Sequence, residues 1–143
     1  MSQEIQFEVS DSATPVDLDA IDKGLSEFNE QSADLASVRP LHVVARDERG
    51  QLIGGLVGRT WGLCCEILVL WVEKNARQSG IGTTLVRHAE TEAARRGCVT
   101  VFLETFSFQA PEFYSRLGYK TKHQIDGMPD GICKSYMLRQ LSD

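Results

Sequence analysis

The chain has 143 residues, a length that predicts a single domain over residues 1–143 with one hydrophobic core. Its formal net charge of −5 argues against general nucleic-acid binding, which needs a basic face, and no apolar run approaches the roughly 20 residues that span a bilayer. The polar, acidic start of the chain is unlike a signal peptide and the four cysteines lack zinc-site spacing, so we expect a cytoplasmic protein with reduced thiols and no metal.

A strand and a helix are predicted at the start of the chain. Residues 5–9 alternate apolar and polar side chains, a pattern typical of a half-buried strand. Thr14, Pro15 and Asp17 then suit the N-cap, the first position and the first turn of a helix. Apolar side chains follow at helical spacing and form one face: Leu18, Ile21, Leu25 and Phe28.

Three strands are predicted in the middle of the chain. Residues 41–45 and 51–59 form the arms of a predicted hairpin, and Gly50 in its turn can take positive φ. The glycines at positions 54, 55 and 58 of the second arm indicate a bulge or the close approach of another backbone. A longer apolar strand is expected over residues 63–72.

Residues 77–82, Arg-Gln-Ser-Gly-Ile-Gly, lie between that apolar strand and a helix-patterned segment over 82–96. A glycine turn that opens a helix presents unpaired backbone N–H groups, and the helix dipole adds partial positive charge. Gly80 and Gly82 have no Cβ, so the backbone can approach a diphosphate closely. The sequence therefore predicts that a phosphate-bearing cofactor binds at this turn.

The last third of the chain predicts a buried strand over 99–105, a short helix over 110–117 and two strands over 119–124 and 132–138. The predicted order of elements is thus β-α-β-β-β-α-β-α-β-β. Helices that cross over on both sides of the glycine turn imply a mixed sheet with some parallel pairing.

Two motifs in this order of elements resemble the GNAT superfamily of N-acetyltransferases. The pattern Gln/Arg-x-x-Gly-x-Gly/Ala is matched by Arg77, Gly80 and Gly82, and the segment over 113–119, Phe-Tyr-Ser-Arg-Leu-Gly-Tyr, matches the family's FYxxxGF/Y. A dinucleotide-binding turn fits less well, because the third glycine of GxGxxG is missing. The resemblance implies an α+β (α/β/α) fold with a mixed, mostly antiparallel sheet of about six or seven strands flanked by helices.

The resemblance implies acetyl-CoA, or another acyl-CoA, as the donor. Backbone amides of the glycine turn would bind the pyrophosphate, and the backbone of the preceding strand would pair with the pantetheine arm. Ser107 and Gln109 occupy positions where the family often has an asparagine that contacts the cofactor. The implied cofactor-binding residues are Leu70, Trp71, Val72, Arg77, Gln78, Ser79, Gly80, Ile81, Gly82, Thr83 and Gln109.

Amine acetylation requires a group that accepts the ammonium proton and a group that protonates the leaving thiolate. The resemblance implies that Tyr114 is the general acid at sulfur. Glu66 lies in an apolar strand, where a carboxylate needs a purpose or a partner, and its spacing to Arg77 equals that of the base in the histone-acetyltransferase branch. Glu66 is therefore the first candidate for the base. The alternative for Glu66 is a salt bridge with Arg59, and the alternatives for the base are Glu104 and a water relay.

The acceptor that the resemblance implies is a primary amine of a small molecule or a peptide. Aromatic side chains that can line its pocket, or simply pack in the core, are Trp61, Trp71, Phe106 and Phe108. Carboxylates that can attract a cationic amine are Glu112, Asp126 and Asp130. A non-catalytic acyl-CoA sensor with the same fold is the alternative function. Neither nucleic acid nor membrane is expected as a partner, and a homodimer is common in the family.

Overall fold

The computed structural model of the protein describes residues 3–141. It divides between Ala36 and Ser37 into two compact units, and each is described by itself below. The assignment of residues 1–143 to a single domain stays a prediction.

The first unit contains one helix, α1 (Pro15–Ser32). The Thr14 side chain accepts a hydrogen bond from the Asp17 N–H at 3.2 Å, so the predicted N-cap is confirmed. The predicted strand over residues 5–9 was wrong, because this segment has no strand partner in the described part of the chain and its apolar side chains are exposed. Alternation of side chains supplies two faces, but a strand also needs a neighbouring strand for its backbone hydrogen bonds.

Six strands of the second unit form one mixed sheet in the spatial order β1-β2-β3-β4-β6-β5. They are β1 (Arg39–Arg46), β2 (Leu52–Trp61), β3 (Cys64–Val72), β4 (Thr100–Phe106), β5 (Lys120–Ile125) and β6 (Lys134–Gln140). The helices of this unit are α2 (Ile81–Arg95) and α3 (Pro111–Arg116), with short 3₁₀ turns at Lys74–Ala76 and Pro129–Gly131. A further 3₁₀ turn, Leu35–Ser37, lies where the chain passes from the first unit into the second. Among these six strands, β3 and β4 pair in parallel and the other neighbours pair antiparallel, which confirms the mixed, mostly antiparallel sheet.

One face of the sheet packs against α2 and carries the hydrophobic core. Its buried members include Leu41, Leu56, Cys65, Ile67, Leu85, Val86, Ala89, Val101, Leu103, Tyr114 and Met137. Side chains alternate along a strand, so residues next to Cys65 and Leu103 project from the opposite face of the sheet. Glu66, Glu104, Phe106 and Lys134 lie on that opposite face, which we call the distal face.

A β-bulge in β3 lies at the point where β3 separates from β4. In the pairing of β2 with β3, Val57 is opposite Val69 and Gly58 is opposite Ile67, which leaves Leu68 as the extra residue. A Cβ on Gly58 would lie 2.6 Å from the Glu66 carbonyl oxygen, so this position requires glycine. The parallel pairing of β3 with β4 ends at Ile67, just before the bulge, and the remaining ends of the two strands are unpaired with each other.

Candidate active site

A cavity of about 780 Å³ lies between the unpaired ends of β3 and β4. The glycine turn, the start of α2, the loop after β4 and α3 form the rest of its wall. Both motifs that the sequence identified therefore border one cavity, although they lie far apart in the chain. Within residues 3–141, no group of three or more His, Cys, Asp or Glu side chains is arranged to hold a metal ion.

Six consecutive backbone N–H groups, from Gln78 to Thr83, have no hydrogen-bond acceptor in the described part of the chain. The hydrogen-bonded ladder of α2 starts only with the N–H of Thr84, which donates to the Gly80 carbonyl at 3.0 Å. Gly80 has φ 83°, a left-handed conformation that glycine adopts without steric cost. The turn and the helix start thus present the donors and the dipole that anion binding requires.

Side chains of the same turn brace its backbone. The Arg77 Nε donates to the Val72 carbonyl oxygen at 3.0 Å, and the Ser79 hydroxyl donates to the Ala76 carbonyl. These bonds use side-chain donors and backbone acceptors, so they hold the turn without occupying its N–H groups. Arg77 therefore connects the end of β3 to the turn.

Most of the residues predicted to bind the cofactor line this cavity. They are Leu70, Trp71, Val72, Arg77, Gln78, Gly80, Gly82, Thr83 and Gln109. Ser79 and Ile81 do not line it, since the Ser79 hydroxyl turns to Ala76 and the Ile81 side chain packs against the core. The Gln109 side chain accepts a hydrogen bond from the Phe106 N–H at 2.8 Å and so caps the end of β4.

Tyr114 of α3 is buried against the core and also lines the cavity. Its ring meets the ring edges of Phe113 and Tyr119 at centroid distances of 5.1 and 5.8 Å. The Tyr114 hydroxyl has no hydrogen-bond partner within residues 3–141. Every fully buried side-chain oxygen or nitrogen in this range does have a partner, so the hydroxyl is not fully buried and faces the cavity. Burial raises the pKa of Tyr114 to about 12, which keeps the phenol protonated at neutral pH.

The raised pKa of Tyr114 predicts a loss of stability in alkali. An unfolded tyrosine ionises from pH 10 upward, whereas the folded Tyr114 stays neutral to a pKa of about 12, so rising pH favours the unfolded state. Between pH 10 and pH 11, the unfolding free energy of the wild type should fall about 1 kcal/mol more than that of Tyr114→Phe. Urea unfolding of both proteins across this range checks the prediction, and parallel pH curves would contradict it.

Glu90 of α2 is a buried carboxylate that the sequence reasoning missed. It accepts a hydrogen bond from the Tyr119 hydroxyl at 2.9 Å and pairs with Arg139 and Arg87 at 2.9 and 2.7 Å. These contacts tie α2 to β6 and to the end of the second motif, directly beside Tyr114. The sequence does contain a signal for this role. Glu90 comes four positions after Val86, so a charged side chain lies on the apolar face of the predicted helix.

The two candidate bases lie on the distal face but differ in their surroundings. Glu66 Oε1 accepts hydrogen bonds from the Arg59 Nε and Nη2 at 3.0 and 2.8 Å, so the alternative pairing is present. Glu104 lines the cavity and pairs with the Lys134 Nζ at 2.8 Å, while Glu66 is not among the lining residues. The structure therefore brings Glu104, and not Glu66, to the cavity with Tyr114.

Only some of the residues predicted to border the acceptor pocket lie at the cavity. Phe108 and Trp71 line the cavity, and Phe108 stacks on Phe106 with a centroid distance of 5.3 Å. Trp61 instead donates from its indole N–H to the Ser37 hydroxyl at 2.9 Å. The carboxylates of Glu112, Asp126 and Asp130 are not among the residues that line the cavity.

The chain is similar to known acetyltransferases. A model of the acetyltransferase (GNAT) family matches residues 8–119. A blasticidin-S acetyltransferase of Streptomyces morookaense is 40% identical over 107 residues, which are 72% of this chain and 79% of that protein. An acetyltransferase of Agrobacterium fabrum is 30% identical over 115 residues, 80% of this chain and 84% of that one. The crystal structure of an acetyltransferase from Bacillus cereus has a TM-score of 0.76 at 26% identity and covers 93% of this chain and 97% of its own.

Proposed function

Because this chain belongs to the GNAT family of acetyltransferases, whose members use acetyl-CoA, we propose that it transfers an acetyl group from acetyl-CoA to a primary amine of a small molecule or peptide. One observation carries the proposal: unpaired backbone amides and a protonated, buried tyrosine border the same cavity. The first group suits the diphosphate end of the donor, and the second suits its sulfur.

The described residues fit acetyl-CoA. The amides from Gln78 to Thr83 would hold the diphosphate, since anions bind where N–H groups and a helix dipole point together. Among the described residues, the β3 edge from Leu70 to Val72 has no strand partner on the side of β4, so its backbone is available to the amide-bearing pantetheine arm. When bound, acetyl-CoA would supply an acyl thioester, whose carbonyl carbon is open to attack by an amine.

The reaction balances with this chain's residues moving only protons. The amine nitrogen bonds to the carbonyl carbon, the carbon–sulfur bond breaks, and the products are an amide, the CoA thiol and one proton. Tyr114 would protonate the sulfur from the α2 side of the sheet, because its hydroxyl is protonated and faces the cavity. A carboxylate on the distal face would accept the ammonium proton from the other side.

We assign that carboxylate to Glu104, because it lines the cavity while Glu66 is held by Arg59 away from the cavity wall. Glu104→Gln should lower kcat/KM at neutral pH about tenfold or more, since general base catalysis contributes on that scale or above. Glu66→Gln, the matched control, should stay within about twofold of the wild type. Steady-state thiol release at saturating acetyl-CoA measures both, and equal losses in the two variants would reject the assignment.

The experiment that tests the function has two stages. A thermal-shift titration with acetyl-CoA reports binding, and a thiol-release assay across a panel of amines then reports transfer. Blasticidin S belongs in the panel because of the similarity to the Streptomyces morookaense enzyme. Binding without thiol release from any amine would favour the alternative, a non-catalytic acyl-CoA sensor with this fold.

We also propose that the protein acts in the cytoplasm. All four cysteines are free thiols, and two of them, Cys65 and Cys98, are buried in the core, which suits the reducing cytoplasm. None of the helices within residues 3–141 is long and apolar enough to cross a membrane. A homodimer stays a prediction from the family resemblance.

A further inference from the structure

An ion pair on the distal face includes one residue of the cavity wall. The Lys134 Nζ lies 2.8 Å from Glu104 Oε2, with 27% of the lysine side chain and 43% of the glutamate side chain exposed. Glu104 lines the cavity, so one partner of this pair borders the space in which transfer is proposed. An incoming molecule can therefore reach both charges from solvent.

Two aromatic rings hold the Lys134 ammonium in place. Its Nζ lies 5.3 Å from the centroid of Phe106 and 5.9 Å from that of Tyr136, within the range of a cation–π interaction. Phe106 is itself fixed by stacking on Phe108 at an interplanar angle of 9°. If Glu104 took another cation as its partner, the ammonium of Lys134 would keep this aromatic support.

Glu104 and Glu66, the two carboxylates that we have placed on the distal face, each have a cationic partner. Glu104 is paired with Lys134 and Glu66 with Arg59, so this part of the surface combines both signs of charge. A molecule with several positive charges would meet repulsion from Lys134, and a molecule with only negative charge would meet repulsion from Glu104. A molecule that carries one charge of each sign matches the surface.

Replacing the ion pair between Lys134 and Glu104 by contacts with a bound molecule costs little free energy. A solvent-exposed salt bridge contributes only about 0–1 kcal/mol, so replacing it costs little. A zwitterion would form two charged contacts in its place, from its ammonium to Glu104 and from its carboxylate to Lys134. The bound ammonium would then sit at the carboxylate that lines the cavity, which is where its proton must be removed.

We infer that the acceptor is a small zwitterionic amine, an amino acid whose carboxylate is bound by Lys134 while its amine is presented by Glu104 to the cavity. This inference rests on the proposed function and narrows it to one class of acceptor. Lys134 is then the residue that selects for the carboxylate. The closeness of the two protein charges favours acceptors whose amine and carboxylate are separated by a short chain.

The test compares acceptors that differ only in the carboxylate. Thiol release is measured at saturating acetyl-CoA for the ω-amino acids from glycine to 5-aminopentanoate, each beside its carboxamide. At the best chain length, kcat/KM should be about tenfold higher for the acid, the effect of one charge-assisted hydrogen bond. Lys134→Met should bring the ratio of acid to carboxamide to about one.

A matched control removes a positive charge elsewhere. Lys122→Met, at an exposed position of β5, should keep the wild-type ratio. A ratio near one in the wild type, or a ratio that survives Lys134→Met, would overturn the inference while thiol release from the carboxamides or other amines upholds the proposed function. If no amine releases thiol, calorimetric titration of the same acids and carboxamides into the protein with CoA decides. Acid binding that is lost in Lys134→Met supports the contact between Lys134 and the carboxylate. If no acid binds, or if acid binding survives Lys134→Met, the inference is overturned.

Discussion

Replacing Tyr114 by phenylalanine is expected to lower kcat about 100-fold or more, because positioned acids contribute on that scale to proton transfer. The affinity for acetyl-CoA should stay within about twofold, since the ring remains and only the hydroxyl is lost. The hydroxyl is the one group in the cavity wall that we propose to protonate the leaving sulfur, and its raised pKa of about 12 keeps its proton available. Single-turnover measurement of acetyl transfer separates this step from binding and product release.

Tyr119→Phe is the matched control for this substitution. It removes a hydroxyl from the neighbouring ring, but that hydroxyl donates to buried Glu90 and not into the cavity. We expect this variant to lose about 1.5–3 kcal/mol of unfolding free energy, the range for a hydrogen bond to a charged group, and to keep most of its kcat. An unchanged kcat in Tyr114→Phe would remove Tyr114 as the acid, although the enzyme could still act through water.

Replacing Gly58 by alanine is expected to cost about 2–3 kcal/mol of unfolding free energy and to weaken acetyl-CoA binding about tenfold or more. The new Cβ would lie 2.6 Å from the Glu66 carbonyl oxygen, a distance at which the backbone of β3 must move. The bulge at Leu68 comes two residues after Glu66. It marks the point where β3 separates from β4 to form the cavity. A shift of this backbone therefore changes the edge that we propose for the pantetheine arm.

Gly55→Ala provides the comparison within the same strand. A Cβ there would lie 3.4 Å from the nearest atom, the Val43 carbonyl oxygen, so we expect a change in unfolding free energy below about 1 kcal/mol and normal acetyl-CoA binding. Urea unfolding and thermal-shift titration with acetyl-CoA report both quantities. Equal behaviour of the two alanine variants would show that the bulge does not depend on glycine at position 58.

Local pattern was enough to identify the elements around the site. The third strand, the helix after the glycine turn and the short helix with Tyr114 occur to within one residue of their predicted bounds at each end. Each of these has a signal that depends on near neighbours: an apolar run, a glycine in left-handed conformation, or a helical stripe of apolar side chains. The strand over residues 5–9 had such a signal as well, but it lacks a neighbouring strand and does not form.

Contacts between segments that are far apart in the chain could not be predicted from local sequence pattern. The sequence favoured Glu66 over Glu104 as the base, although both carboxylates interrupt apolar strands. Only the register of β3 with β4 and the end of their pairing show that Glu104 lines the cavity and Glu66 does not. No role was predicted for Lys134 from the sequence, because its partner Glu104 lies thirty positions earlier in the chain. The two side chains meet only through the pairing of β4 with β6. Glu90 likewise gains its role from Tyr119, Arg87 and Arg139, two of which come from the far end of the chain.

The sequence by itself determined the two family motifs and the anion-binding geometry of the glycine turn, because each of these depends on a few residues that are close together in the chain. The tertiary structure alone decided that the two motifs share one cavity, that Glu104 lines it and that Lys134 accompanies Glu104. The physical reason is the bulge at Leu68 next to Gly58, which ends the parallel pairing and opens the sheet. Strand register and bulges arise from pairing between segments, so no local pattern specifies them completely.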